Sequence, residues 1–111
     1  MTVIVDAGRI AALNDILRRS LSGGTLVLTA GIVALGRERQ RTILDAVAAF
    51  EDFDVGNDPY GERDFGALDA AGERVMFKID YFDRSGRGAS PDASDAAVTV
   101  RVLTVMLAGE Y

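Results

Sequence analysis

The sequence predicts an α+β domain with two helices packed on one face of a small antiparallel sheet, in the order α-β-α-β-β-β. Three observations carry this. Apolar residues recur at helical spacing in two stretches of the first half. Alternating apolar residues mark strands in the second half. Glycine-, proline- and aspartate-rich turns separate the strands. At 111 residues the chain fits a single domain over 1–111. A chain of this size buries roughly 60–70% of its unfolded surface, enough for a core without disulfides.

The elements follow in order. Residues 6–21 read as a helix, with Asp6 as N-cap and Ile10, Leu13, Leu17 and Leu21 on one stripe that Ile16 widens. Arg9, Arg18 and Arg19 are expected away from that stripe, and Gly23-Gly24 ends the helix. Residues 25–30 are β-prone and bounded by glycines, a short, largely buried strand. Residues 31–36 extend that strand or form a loop. Residues 37–52 read as the second helix, with Ile43, Leu44, Val47 and Phe50 as its apolar face and Phe53 anchoring the exit.

Residues 54–63 form a polar loop with strong turn chemistry at Asn57-Asp58-Pro59-Tyr60-Gly61. Residues 64–69 and 74–82 read as a hairpin around Ala70-Ala71-Gly72-Glu73. In its second strand Val75, Phe77, Ile79 and Tyr81 share the expected core face, while Met76, Lys78, Asp80 and Phe82 share the other. A second polar loop spans 83–96. Residues 97–108 are rich in valine and threonine and are read as a strand over a competing helix. Alternation is lost from Leu103, which allows a bulge or burial on both faces.

Composition removes whole classes of chemistry. The chain contains neither cysteine nor histidine. Disulfides, thiolate metal sites, cysteine nucleophiles and the Ser-His-Asp triad are therefore excluded. Catalysis would have to rest on carboxylates, Lys78, tyrosines or arginines. No cofactor and no metal are expected. The longest apolar run, around 26–35, is too short to span a bilayer, and no secretion signal is read at the N-terminus, so the chain is expected to be cytoplasmic and free of membrane.

Charge is unevenly distributed. Residues 1–44 carry six arginines and three acids, a balance of +3, whereas residues 45–95 carry thirteen acids and five bases, a balance of −8. An acidic middle repels nucleic acid and attracts basic partners. Direct nucleic-acid binding is thus not expected.

Residues 57–66 (Asn-Asp-Pro-Tyr-Gly-Glu-Arg-Asp-Phe-Gly), 77–83 (Phe-Lys-Ile-Asp-Tyr-Phe-Asp) and 101–111 (Arg-Val-Leu-Thr-Val-Met-Leu-Ala-Gly-Glu-Tyr), with Leu13-Asn14-Asp15 and Leu28-Thr29-Ala30-Gly31, are familiar in combination. Together they resemble the domain-of-unknown-function family DUF3768, short proteins of alphaproteobacterial genomes, plasmids and prophages. The family brings no activity to transfer. The resemblance implies a setting of accessory genes on mobile elements. Small acidic proteins in such settings include inhibitors of host defence, among them anti-CRISPR proteins that cover nucleic-acid-binding surfaces. This step is analogy.

The candidate partner-binding residues are Glu51, Asp52, Asp54, Asp58, Glu62, Asp64, Asp69, Glu73, Asp80 and Asp83. Dense carboxylates can pair with the arginines of a groove built for phosphates. The partner expected on this reading is a basic protein surface, a CRISPR effector complex being one candidate. The same acids also fit a solvated face that keeps the protein soluble. Lys78 and Asp80 fit either a surface ion pair or, with Asp64 or Asp69 close by, an acid–base site. Asp80, Asp83, Asp92 and Asp95 could supply oxygen ligands to a cation, but their spacing matches no calcium loop, and Asp92 and Asp95 fit turn-organising roles better. Tyr60, Tyr81 and Phe82 fit either an aromatic anchor or core packing. A small carboxylate-based enzyme and an oligomeric accessory protein with an apolar contact remain the alternative classes.

Overall fold

The computed structural model describes residues 6–111. Helix α1 (Ala7–Ser20) leads into strand β1 (Thr25–Leu28), a single helical turn α2 (Ala30–Val33) and helix α3 (Arg37–Ala49). Strands β2 (Phe65–Ala70) and β3 (Glu73–Phe82) follow, then a 3₁₀ turn at Ala96–Val98, strand β4 (Val100–Leu107) and a closing 3₁₀ turn at Ala108–Glu110.

The four strands form one sheet in the order β1-β4-β3-β2. The β2–β3 and β3–β4 pairs are antiparallel, and β1 runs parallel to β4. The sheet is therefore mixed, not antiparallel as the sequence suggests. A parallel pair needs a long crossover between its strands, and everything from α2 to the 3₁₀ turn at 96–98 serves as that crossover. Side-chain alternation is the same in either direction, so the sequence carries no sign of it.

Two boundaries also differ. Residues 30–33 are helical, neither strand nor loop, and three helical segments replace the expected two. The carboxylate of Glu110 accepts hydrogen bonds from the Thr29 hydroxyl at 2.6 Å, the Gly31 amide at 3.0 Å and the Leu107 amide at 2.9 Å. That contact, from the other end of the chain, satisfies a free amide of the short turn. In the region expected to be strand from residue 97, Asp95 instead caps a 3₁₀ turn by accepting from the Ala97 amide at 2.9 Å.

All three helical segments lie on one face of the sheet. Leu17 of α1, Ile32 of α2, and Ile43 and Val47 of α3 are buried against Val75, Phe77 and Ile79 of β3 and Leu103 and Val105 of β4. Phe50, Phe53 and Phe77 meet edge-to-face, with centroids 4.9 to 6.3 Å apart, where α3 ends. The hairpin turn has positive φ at both central residues, Ala71 at 53° and Gly72 at 79°, as a two-residue turn of this hand requires. Arg39 of α3 holds it by donating to the Ala71 carbonyl at 2.7 Å and to Glu73 at 3.1 Å.

The face that α1 presents differs from the expected stripe. Asp6 does cap the helix, accepting from the Arg9 amide at 2.9 Å. Ile16 and Leu21, however, are 51% and 43% exposed, while Asn14 and Arg18 are buried beside Ile10 and Leu17. Arg18 turns inward because α3 ends against it. One of its terminal nitrogens donates to the carbonyls of Val47 at 2.8 Å, Ala48 at 3.0 Å and Phe50 at 2.7 Å, and the other pairs with Asp15 at 3.0 Å. Its guanidinium also lies over the rings of Phe53 and Phe77. A cation at a helix C-terminus is electrostatically favourable, but the helix it serves is α3 and not its own.

Candidate functional site

The acidic segment between α3 and β2 is ordered by its own carboxylates. Asp54 accepts from the amides of Gly56 at 2.8 Å and Asn57 at 2.9 Å, and Asn57 answers by accepting from the Asp54 amide at 2.9 Å and donating to the Asp52 carbonyl at 2.8 Å. Asp58 accepts from the amides of Glu62 at 3.0 Å and Arg63 at 3.1 Å. Short polar side chains are favoured in such turns because they supply these bonds locally. The Asp64 carbonyl then accepts from the Ile79 amide at 2.8 Å and brings the chain into the sheet.

Four of the ten candidate acids are neutralised by basic neighbours. Glu51 is gripped by the guanidinium groups of Arg19 and Arg63, whose hydrogen bonds hold its carboxyl below the usual range. Asp69 pairs with Arg74 at 3.3 Å, Glu73 with Arg39 at 3.1 Å, and Asp80 with Lys78 at 3.0 Å. The Lys78–Asp80 pair is about two-fifths exposed, so Lys78 is not pressed into a carboxylate pocket. The ten acids are thus divided between ion-paired carboxylates and carboxylates without an ion pair among the described residues. Long arginines on α1, α3 and the 63 turn reach carboxylates distant in sequence.

Asp83 belongs to a separate turn. The Ser85 hydroxyl at 2.6 Å, assisted by backbone amides, holds its carboxyl below the usual range. Asp92 is likewise lowered by the Ser94 hydroxyl at 2.6 Å. Asp80, Asp83, Asp92 and Asp95 are thus engaged in an ion pair, two turns and a cap. Among the described residues no group of three or more carboxylates is placed to hold a metal ion.

Asp58, Glu62 and Asp64 do gather. Burial is the main force pushing the Asp64 carboxyl up, and the negative charges of Glu62, Asp58 and Asp80 add to it. Among the described residues none of Asp58, Glu62 and Asp64 has an ion-pair partner. Tyr60 lies in the same loop and is 78% exposed, whereas Tyr81 and Phe82 are half-buried and join no exposed anchor.

Beneath this loop lies a polar cluster that sequence reasoning missed. Asn14 donates to the Glu62 carbonyl at 3.0 Å and to the Tyr81 hydroxyl at 2.8 Å, and accepts from Arg101 Nε at 2.7 Å. Arg101 also donates to the Ala93 carbonyl and lies 5.0 Å over the Tyr81 ring. Burial pushes the Tyr81 phenol up, and the nearby charges of Asp64 and Glu62 push it further. The signal for this cluster was in the phase of the residues. Asn14 falls between Ile10 and Leu17 on the buried helix face, and Arg101 lies two before Leu103 on the inward strand face. A polar residue in an apolar phase marks either a buried network or an error of assignment.

No helix among the described residues is long and apolar enough to cross a membrane. Comparison with curated proteins and with solved structures gives no match. The family described as "Protein of unknown function (DUF3768)" matches residues 28–110, from the end of β1 to the Glu110 contact. That span covers the acidic loop, the hairpin and β4, most of the chain, and the protein belongs to this family.

Proposed function

We propose that this chain is a non-enzymatic protein-interaction domain whose acidic loop binds a basic protein surface. In the mobile-element setting that its family resemblance implies, that surface belongs to a nucleic-acid-handling defence complex, a CRISPR effector being the most concrete candidate. The contact centres on Asp58, Glu62 and Asp64, with Asp52 and Asp54 on the same loop.

One observation supports this reading above the others. Burial raises the proton affinity of Asp64, the charges of Glu62 and Asp58 add to it, and none of these three carboxylates has an ion-pair partner among the described residues. Repulsion held in a folded surface is relieved when a partner supplies guanidinium groups, which then form charge-assisted hydrogen bonds. Phosphate would add to the repulsion, so the partner is basic protein and not nucleic acid.

The test is plasmid interference in cells with an active CRISPR system. The wild-type chain is expected to protect the plasmid, and Glu62→Gln combined with Asp64→Asn is expected to abolish protection while the protein stays folded. Absence of protection by the wild type rejects the defence target. Full protection by the folded variant rejects the acidic loop as the contact.

A further inference from the structure

The sheet has a second face that no helix among the described residues covers. In β4 the residues Leu103, Val105 and Leu107 point inward, so Val102, Thr104 and Met106 lie on the other side, where Val102 and Thr104 are half-buried and Met106 is buried. Strand β3 shows Met76, Lys78 and Asp80 on that side, since each pairs directly with an outward residue of β4. The alternation lost after Leu103 is therefore neither bulge nor irregularity. Both faces of β4 carry apolar residues, interrupted by Arg101 inside and Thr104 outside.

A solvated sheet face normally alternates to polar residues. Here Val27 is 41% exposed on β1, and Phe65 on β2 extends the surface to Tyr111, 77% exposed, with ring centroids 6.0 Å apart. The polar interruption at the middle is the Lys78–Asp80 pair, two residues apart on one strand.

We propose that two copies of this chain pack through this open face as a two-fold dimer. The charge pattern selects a second copy as the occupant. A two-fold axis lying between the sheets and crossing β3 at Ile79 reverses the strand direction. It sets Lys78 of each copy against Asp80 of the other and, one strand over, Val102 of each copy against Thr104 of the other. The contact is then isologous, with one self-complementary patch used twice.

The size of the face sets the kind of contact. Strands of four, six, ten and eight residues, at a spacing of about 4.8 Å and roughly 3.3 Å per residue, span about 440 Å². Two such faces bury at most about 900 Å², the size of a weak and reversible contact. This contact is independent of the acidic-loop reading, and either can fail without the other.

The experiment is analytical ultracentrifugation of the full chain over a wide concentration range. The wild type is expected to pass from monomer to dimer. Lys78→Glu and Asp80→Lys should each weaken self-association by at least about tenfold, because each brings like charges together across the axis. Mixing these two variants in equal amounts should restore a dimer of near wild-type affinity, since each charge again meets its opposite. Val27→Lys, which leaves the ion pair intact, should also give a monomer and covers the case in which a charge variant fails to fold. A wild type that stays monomeric at all concentrations overturns the proposal. So does failure of the two folded charge variants to complement, or capture of a different protein by this face of a monomeric chain.

Discussion

Arg18 and Arg101 lie sealed in the molecule, 1% and 2% exposed, and give most of their hydrogen bonds to carbonyls of neighbouring segments. The loop above them presents Asp58, Glu62 and Asp64 with no cation in contact among the described residues. The two regions are linked through Asn14, which accepts from Arg101 and donates to the Glu62 backbone. Positive charge that could have balanced the acids is used inside, where it closes the end of α3 and anchors β4. Other arginines from outside the acidic segment, Arg19 and Arg39, pair with Glu51 and Glu73 within it, so the unpaired acidity is confined to the 58–64 loop. Net charge by segment is thus a poor guide to surface charge when arginines reach across the fold or serve the core.

This contrast can be broken from the inside. The largest effect is expected from Arg18→Ala. It leaves three carbonyls at the end of α3 without their donor and removes the stem packed against Phe53 and Phe77. A loss of about 3–5 kcal/mol is expected, read as a lower urea midpoint at unchanged slope. A loss below about 1 kcal/mol would mean that water replaces the guanidinium easily.

Asn14→Ala comes next. It strands Arg101 Nε and the Glu62 carbonyl and frees the Tyr81 hydroxyl, with an expected cost of about 2–3 kcal/mol. Hydrogen exchange sharpens the comparison. Amides of the 58–64 loop should exchange faster in this variant, while those of β3 at Val75 and Phe77 keep their protection. Equal loss of protection in both would show that Asn14 supports the whole core and not the loop.

The smallest effect, and the opposite sign, is expected on the acidic side. The Asp64 carboxyl is raised in the folded chain, so the folded state holds its proton more tightly than the unfolded state does. Stability from this group falls as pH rises from the usual aspartate value, 3.8, through the raised one. Asp64→Asn removes that loss. Its Tm should exceed the parent's above this window and converge with it below. Solvent screening of a half-exposed carboxylate keeps the gain to about 1–3 °C at pH 7. Destabilisation at pH 7 would show that the ionised carboxylate is held by contacts that outweigh its neighbours' repulsion.

Much of the fold was legible from residue order. The two long helices, the hairpin with its turn at Ala71-Gly72, the inward phase of Val75, Phe77 and Ile79, and the strand over residues 100–107 all follow from local periodicity. The helical turn at 30–33 did not, because its partner Glu110 lies at the other end of the chain. The candidate site was half legible. Acid-rich composition identified the loop, but whether each carboxylate met an arginine depended on which segments the fold brought within reach, as with Glu51 and Arg63 or Glu73 and Arg39.

The sequence by itself determined what is local: where the backbone coils or extends, where it turns, which chemistry is absent for want of cysteine and histidine, and which face of each strand is apolar. Only the tertiary structure decided what is relational: the parallel pairing of β1 with β4, the burial of Arg18, Asn14 and Arg101, and the division of the acids into paired and unpaired sets. The physical reason is range. Backbone preference and side-chain alternation act over a few residues, whereas an ion pair or a buried hydrogen bond depends only on distance in space and is indifferent to distance along the chain.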